Sequence, residues 1–517
     1  MIPVVVVVIY LAIIAVIGSV AFRQSKANTE DFFLANRTVG SMVFFLSIFA
    51  TNMTAFAILG SSGQAYRQGI GIYGLMASSS GLVIPLTIFF IGTRLWAIGK
   101  RFGHQTQVAF FRDRWECSTI GTLIFVLSVV MLVPYMIISI MGGGRVLADI
   151  SNDHVAYWLG CAIVALVVTA NVFFGGMRGT VWANIFQTIL FLLFGAVAVA
   201  VISHDLPGGF GEYIRKIADN PKTSYLVTRE RMSERYFWSY TLIPLSSIMF
   251  PHMAIMCFAA RKVTAFKRTV VLYPLAIMAI WLPCIFLGVL GTQLVPGLKN
   301  PDGVLLKLLN AHAPEWLAGI LGAGIISAVM GSDTHQVLAM STMFTKDVFT
   351  HYGGTKKYGE KGTVFFARAF IVAMTLIAYI IALNTPESIF ELAVRFAFSG
   401  FAAMAPVMIA ALFWKRSNKF GALASTLWVA GWLALTWYLQ HISDGTAPKP
   451  GQPPVLIFPE LGHLFERTTA AVTCYGFLPV FPMVLGSAIL MILVSLSTPL
   501  PSRQTIEKYF PPRGAAA

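Results

Sequence analysis

The stretch Ser47-Ile48-Phe49-Ala50-Thr51-Asn52-Met53-Thr54-Ala55 sets hydroxyls, an amide and small side chains in the middle of an apolar run covering 41–63. A run of roughly 20 apolar residues crosses the ~30 Å hydrocarbon core of a bilayer as a helix. Polar groups at its midpoint predict an interruption, and non-helical backbone at that depth is tolerated only where protein encloses it around a cavity. A second run, 236–259, carries Pro244, Ser246, Ser247, Pro251 and His252. Proline removes a backbone hydrogen bond and clashes with the preceding turn, so a local unwinding is expected near Pro251. Interrupted spans at matching positions in two halves of a chain point to the binding site of a secondary transporter.

The rest of the chain has the composition this requires. Of 517 residues, 57% are hydrophobic and 11% charged, whereas a soluble domain carries roughly 25% charged residues. Apolar runs predict about thirteen spans: 2–22, 41–63, 70–97, 119–147, 155–174, 179–203, 236–259, 268–295, 315–346, 362–384, 387–413, 419–440 and 476–498. The opening run lacks a basic leader and a small-residue cleavage site, so it is expected to be a retained span. The two interrupted runs stand five spans apart, an odd number. The expected organisation is one polytopic membrane domain over 1–517, with a first repeat at 41–203, a second of opposite topology at 236–413, and accessory helices at 414–517.

The net charge of +15 follows the loops rather than forming one patch, which excludes a nucleic-acid partner. Lys26, Arg37, Lys100, Arg101, Arg112, Arg114, Arg178, Arg261, Lys346, Lys415, Arg503 and Arg513 all fall on one set of alternate loops. The positive-inside rule makes that side cytoplasmic, with the N-terminus outside and the C-terminus inside. The expected location is the plasma membrane, or the inner membrane of a bacterium, with lipid as a partner. Oligomeric state has no sequence signal. The five cysteines have no metal-ligand spacing and read as packing residues.

Asp333 lies in the ninth run, within Ala328-Val329-Met330-Gly331-Ser332-Asp333-Thr334-His335-Gln336. A carboxylate at a helix centre costs ~2.5–3.5 kcal/mol on insertion scales, so it is read as a contact for a cation, proton or solute; the structural alternative is a partner for His335. Ala328, Gly331 and Ser332 share one helical face. The Ser332 hydroxyl, facing carbonyls freed between Ala50 and Met53, would supply the oxygens an alkali cation prefers. His252, beside Pro251, is a candidate to hydrogen-bond solute or relay a proton, or is satisfied by exposed backbone. Asn52, Thr54, Ser78, Ser79 and Asn184 are neutral polar candidates near the expected cavity, or alternatively helix–helix contacts. Glu391 and Arg395, spaced i,i+4, are expected to pair. Gly142-Gly143-Gly144 is expected to allow close helix approach or to end a helix. No GxxxxGK[ST] loop or HExxH motif occurs, which argues against an ATP-driven motor on this chain and against an enzyme.

Gly400-Phe401-Ala402-Ala403-Met404-Ala405-Pro406, leading to Ala411-Leu412-Phe413-Trp414-Lys415-Arg416 and Gly421-Ala422, resembles the signature of the sodium/solute symporter family. Gly175-Gly176-Met177 with Trp182 and Gln187, Phe250-Pro251-His252 and Thr345-Lys346-Asp347 fit the same family. The resemblance implies an all-α membrane fold with a five-plus-five inverted-repeat core of the amino-acid-transporter type. It also implies a sodium ion held by the carbonyls of Ala50, Met53 and Ala328 and by the Ser332 hydroxyl. Read from their own chemistry and place in the chain, the candidate solute contacts are Asn52, Thr54, Ser79, Phe250, His252 and Asp333. This chain departs from many relatives in having Gly331 where they have a second hydroxyl, Asn184 where they have an aspartate, and Asn52 where some have an acid. Asp333 adds a charge that several members lack. The expected function is cation-coupled symport of a small organic solute by alternating access, with sodium as the coupling ion. Gly176 to Gln187 looks most like the monocarboxylate branch. The competing expectations are a proton-coupled or uncoupled carrier working through Asp333, and a membrane solute sensor; the latter is disfavoured because no signalling domain is expected beyond residue 500.

Overall fold

Backbone in hydrocarbon must satisfy its own hydrogen bonds, so apolar runs of span length fold as helices. The computed structural model describes residues 2–24, 34–385, 388–443, 445–448, 452–468 and 471–511. Lys26, Arg513 and Glu387 at the start of the eleventh run lie outside these residues. In chain order the long helices are α1 (Ile2–Gln24), α2 (Ser41–Asn52), α3 (Phe56–Gln68), α4 (Gly71–Phe102), α5 (Ser118–Ile150), α6 (Tyr157–Asp205) and α7 (Glu234–Met249). They continue with α8 (Pro251–Ala259), α9 (Thr264–Leu294), α10 (Glu315–Thr350), α11 (Gly354–Asn384), α12 (Ile389–Phe413), α13 (Lys419–Ile442) and α14 (Val480–Ser497).

Both expected interruptions are present. α2 and α3 meet at 61° and α7 and α8 at 49°. Met53 (φ −93°, ψ 114°) and Phe250 (φ −60°, ψ 123°) are the extended residues at the bends, and Pro251 takes the first position of α8, where its missing N–H costs nothing. Among the described residues, ten helices are long and apolar enough to span, or twelve when each bent pair counts as one span. The exact count of thirteen is not established. The surplus comes from α6, whose 49 residues would reach ~73 Å at ~1.5 Å per residue. Gly176 (φ 53°, ψ −151°) interrupts that helix, where sequence predicts two spans.

α10 is the hub of the bundle: 89% of its most apolar stretch is buried, against 22% for α11, which faces outward. Helix α5 lies so close to the first bend that a Cβ on Gly142 would sit 2.4 Å from the Ala55 Cβ. The glycine triplet therefore serves close approach, and α5 runs through it unbroken. The long 441–475 connection is not purely irregular. It holds a small antiparallel sheet of β1 (Val455–Leu456), β2 (Glu466–Arg467) and β3 (Val472–Thr473), with Val455 opposite Arg467 and Arg467 opposite Val472. Among the described residues these are the strands in an otherwise helical structure.

On the face bearing Arg114, a short helix, Gln107–Arg114, ties four elements together. Gln107 donates to the Met249 carbonyl at 3.0 Å, just before the second bend. Arg112 donates to the Asp347 carbonyl at 3.0 Å, and Arg114 to the carbonyls of Ala411 and Trp414 at 3.0 and 3.1 Å. Asp113 receives Lys508 at 2.6 Å and Tyr509 at 2.5 Å from the C-terminal helix Arg503–Tyr509, with His104 at 3.2 Å. The His104 hydrogen bond, followed by those from Lys508 and Tyr509, holds the Asp113 carboxyl well below the usual carboxylate range against the opposing effect of burial. A depressed acid stabilises the fold above its unfolded pKa and loses that contribution as pH falls below about 3.9. The Lys508 contact is a third exposed on each side, so it is worth only about 0.2–1 kcal/mol. Lys508→Ala and Asp113→Ala are expected to be non-additive by a similar amount in a double-mutant cycle of unfolding at neutral pH. Strict additivity would show that the tail does not act through Asp113.

Candidate cation and solute site

The site is assembled where the first bend meets α10. The last carbonyls of a helix have no intrahelical partner and carry the negative end of its dipole. In α2 the Phe49 carbonyl is taken by the Met53 N–H at 3.0 Å, which leaves Ala50, Thr51 and Asn52 as the terminal carbonyls. Ala50 lies beside α10, its Cβ 3.6 Å from where a Cβ on Gly331 would stand. Ala50, Ala328 and Ser332 are fully buried and Met53 nearly so. Ala50 of α2 thus lies against the α10 turn that holds Ser332. The Ser332 hydroxyl already accepts from the Gln336 side-chain amide at 2.7 Å, which turns its remaining lone pair and proton to other partners. Hard oxygens at the negative end of a helix suit an alkali cation.

The place where a side chain is missing at Gly331 is not empty of polar groups. The Asn184 Oδ1 and Gln187 Oε1 atoms both lie 3.3 Å from that Cβ position, and neither has a hydrogen-bond partner. Asn184 Nδ2 meets His335 Nδ1 at 2.8 Å, and Gln187 donates to the Tyr10 hydroxyl at 3.1 Å. His335 therefore turns to Asn184 and to the Gly331 carbonyl (3.2 Å), not to Asp333. Asp333 is fully buried, and neither of its carboxylate oxygens has a hydrogen-bond partner in the structure. A buried carboxylate without a partner costs several kcal/mol, and a bound cation or a proton removes that cost.

The expected solute residues divide into two groups. Phe250 and His252 converge with residues from other helices. Phe250 packs at 5.1 Å from Tyr135, 5.1 Å from Phe401 and 5.7 Å from Phe398. The His252 ring stacks on Phe250 at 5.1 Å, lies 5.6 Å from Tyr135, is almost fully buried, and has no hydrogen-bond partner at either nitrogen. Asn52, Thr54 and Ser79 are already engaged. Asn52 donates to the Tyr273 hydroxyl at 2.6 Å, Thr54 accepts from the Phe56 N–H at 3.0 Å, and Ser79 donates to the Leu75 carbonyl of its own helix at 3.1 Å. Thr54 shapes the first bend by capping α3, whereas Ser79 is spent within α4.

Tyr135 is the residue that sequence reasoning missed. Its hydroxyl is buried without a hydrogen-bond partner, and its ring bridges Phe250, His252 and Phe398. A tyrosine directly after Pro134, deep in an apolar run, was the available signal, since buried phenols normally find a partner. The expected Glu391–Arg395 pair forms at 3.5 Å, and Arg67 shares the same carboxylate at 3.4 Å. Ala50, Ala328, Ser332, Asp333 and His252 are buried, whereas Asn52 at the first bend is part-buried.

A transporter core with two bent helices around a buried polar centre has counterparts among known proteins. A solved Na+-coupled sialic acid symporter in a substrate-bound outward-open state matches 97% of this chain and 99% of its own, with a TM-score of 0.74 at 15% identity. A nucleobase-cation-symport-1 family transporter in a closed conformation matches with a TM-score of 0.56 at 13% identity, covering 93% and 99% of the two chains. Those structures bear on the fold. The sodium/pantothenate symporter of Haemophilus influenzae is 25% identical over 431 residues, 81% of this chain and 87% of that protein. The sodium/proline symporter of Staphylococcus aureus is 24% identical over 455 residues, 84% and 86% of the respective chains. The family profile matching residues 32–429 covers most of the sequence, bent helices and hub included, and on it the chain belongs to the sodium:solute symporter family.

Proposed function

We propose that this secondary transporter moves a small monocarboxylate together with sodium by alternating access. Membership of the family makes the chain a carrier in a membrane rather than an enzyme, with a small solute and sodium as its cargo. In the proposed cycle the cation binds first, between the Ala50–Met53 carbonyls of α2 and the Ala328 carbonyl and Ser332 hydroxyl of α10, and fixes the first bend. The solute then binds between the two bends against Phe250, His252 and Tyr135. The repeats 41–203 and 236–413 rock to open the site inward, with the N-terminus outside and the C-terminus in the cytoplasm. Coupling requires each ligand to raise the affinity of the other by the same factor.

One observation carries this reading. Beside the second bend and on the hub helix α10 stand buried groups without hydrogen-bond partners, His252 and Tyr135 at the bend and Asp333 on α10, which lack a role until cargo arrives. The buried arginines Arg114 and Arg395 are engaged elsewhere, on main-chain carbonyls and on Glu391, so a carboxylate on the solute would be held by backbone groups instead. The start of α8, with His252 in its first turn, offers N–H groups and the positive end of a dipole to a carboxylate. Asp333 also supports a second reading, in which it carries a proton and the proton replaces sodium as coupling ion.

Thermal unfolding in sodium chloride and in choline chloride at two pH values separates these readings. A ligand that binds only the folded state stabilises it by ~2.7 kcal/mol at a hundredfold excess over Kd. A sodium-specific rise is expected in wild type and is expected to vanish in Ser332→Ala. Because Ser332 also receives Gln336, that variant loses some sodium-independent stability, so the readout is the difference between salts. Equal melting in both salts with a shift between pH values would replace sodium by the proton.

A further inference from the structure

Between the two bends stands a ring, Phe398 of α12. It packs edge to face at 4.9 Å from Phe56, the first residue of α3 past the first bend, and lies 5.7 Å from Phe250 at the second. The Tyr135 ring of α5 meets it edge to face at 5.1 Å. Phe401, one turn further along α12, closes on Phe250 at 5.1 Å, and the His252 ring stacks on Phe250 at the same distance. All of these rings are buried. Aromatic pairs prefer offset or edge-to-face contacts with centroids about 4.5–7 Å apart, so walls of this kind are suited to receive another ring.

These walls offer little to hydrogen bonding. The side-chain polar atoms on the rings are the His252 nitrogens and the Tyr135 hydroxyl, all buried and without partners. A solute rich in hydroxyls would bury more donors than these atoms can answer, and each unanswered one weakens binding. A compact aliphatic acid would leave the ring faces without contact. A flat apolar body with one carboxylate uses both features. Its ring meets the aromatic walls, and its carboxylate turns to His252 and the first N–H groups of α8. Phe398 also has a way to make room, because it closes the wide π-helical turn Ala393–Phe398. Such a turn holds one extra residue, and relaxing it to α-helix rotates the side chain by about 100°, one residue's share of a 3.6-residue turn.

We propose that the solute is an aryl monocarboxylate, whose ring takes the place of the Phe398 ring between Phe56, Tyr135 and Phe250. The inference rests on the monocarboxylate reading above and adds to it the apolar half of the solute. Phe398 is then the resident occupant of the apolar subsite, held by the same contacts that the solute's ring makes after displacing it. Selection follows from those contacts: a flat body is preferred over a branched or hydroxylated one.

The test is sodium-driven uptake by the full-length chain in proteoliposomes at alkaline pH, with phenylacetate, acetate and lactate as probes. Phenylacetate is expected to show a KM at least about tenfold below those of acetate and lactate, the factor that one or two ring contacts supply. Phe250→Leu keeps apolar bulk but removes a receiving ring, and is expected to draw the KM values together. Phe398→Leu loosens the resident ring's hold and is expected to lower the KM for phenylacetate alone, the opposite of what a merely structural ring would do. The readout is a ratio of KM values within one protein, which loss of folded protein does not move. Where a variant does not transport, the rise in melting temperature with phenylacetate against that with acetate reads the same preference. Acetate or lactate carried with a KM equal to that of phenylacetate overturns the proposal and leaves the monocarboxylate reading standing. Sodium-driven uptake of none of these acids removes that reading and the proposal with it. A preference unchanged in both variants assigns the rings to core packing and likewise overturns it.

Discussion

Asp333→Asn is expected to abolish sodium-dependent uptake while making the sodium-free protein more stable. Asparagine keeps the volume and removes the charge. Truncating one partner of a buried charge pair costs about 2–5 kcal/mol, which corresponds to a loss of sodium affinity of roughly 30-fold or more. Ser332→Ala removes a neutral hydroxyl and is expected to cost less, about tenfold, because a neutral hydrogen-bonding group is worth about half a charged one. The opposite effect on stability follows from the unfilled site. Neither Asp333 oxygen has a hydrogen-bond partner, so the ionised side chain is a burden until a cation arrives. Removing the charge relieves that burden by about 1 kcal/mol or more, part of it remaining because the amide is also unpartnered. Uptake into proteoliposomes, with melting measured in choline chloride, reads both effects. Uptake indifferent to sodium in wild type and lost in Asp333→Asn would assign the residue to a proton. Normal sodium-driven uptake in Asp333→Asn would remove it from the mechanism.

How far the sequence reached depends on the scale of the signal. A span is a signal of roughly 20 residues, and 315–346 was expected where Glu315–Thr350 is found. The bends were legible because proline, hydroxyls and amides at mid-depth have no other cheap explanation in hydrocarbon. Strands of two residues carry no periodicity, so the small sheet left no trace in the pattern. Individual site residues were legible only where their chemistry was out of place. Asp333 and His252 stood out, and both are buried without hydrogen-bond partners. Ser79 looked the same from sequence as a ligand hydroxyl, but it bonds within its own helix, as hydroxyls in membrane helices commonly do. Tyr135 blended into an apolar run because its ring is hydrophobic and only its tip is polar. The crowding of Gly331 by Asn184 and Gln187 depends on how α6 packs against α10, which no local pattern encodes.

Packing at the first bend also sets the second large effect, at a residue that touches no cargo. Gly142→Ala is expected to destabilise the protein by about 1–3 kcal/mol and to cut uptake at least tenfold, because the new Cβ would stand 2.4 Å from the Ala55 Cβ. Side-chain rotation cannot relieve a clash between two Cβ atoms, so a backbone must move. Val329 and Leu59, at 3.5 and 3.6 Å, already occupy the neighbouring space. The backbone free to yield is the bend itself, since Ala55 immediately precedes α3 and stands two residues after the extended Met53. A shift there displaces the Ala50–Met53 carbonyls, and the defect should appear as lost sodium response as well as lost stability. The steric origin can be isolated by moving the methyl group rather than adding one. Gly142→Ala combined with Ala55→Gly conserves volume across the contact and should recover most of the uptake, a coupling expected only of residues that touch. Gly431→Ala on α13 supplies the control, since nothing lies within 4 Å of that Cβ position. There the substitution should leave transport unchanged and stabilise the helix by up to ~1 kcal/mol. If Gly142→Ala instead melts and transports like wild type, or Ala55→Gly fails to rescue it, the angle between α2 and α3 is not held by α5, and the cation site must owe its shape to α10 alone.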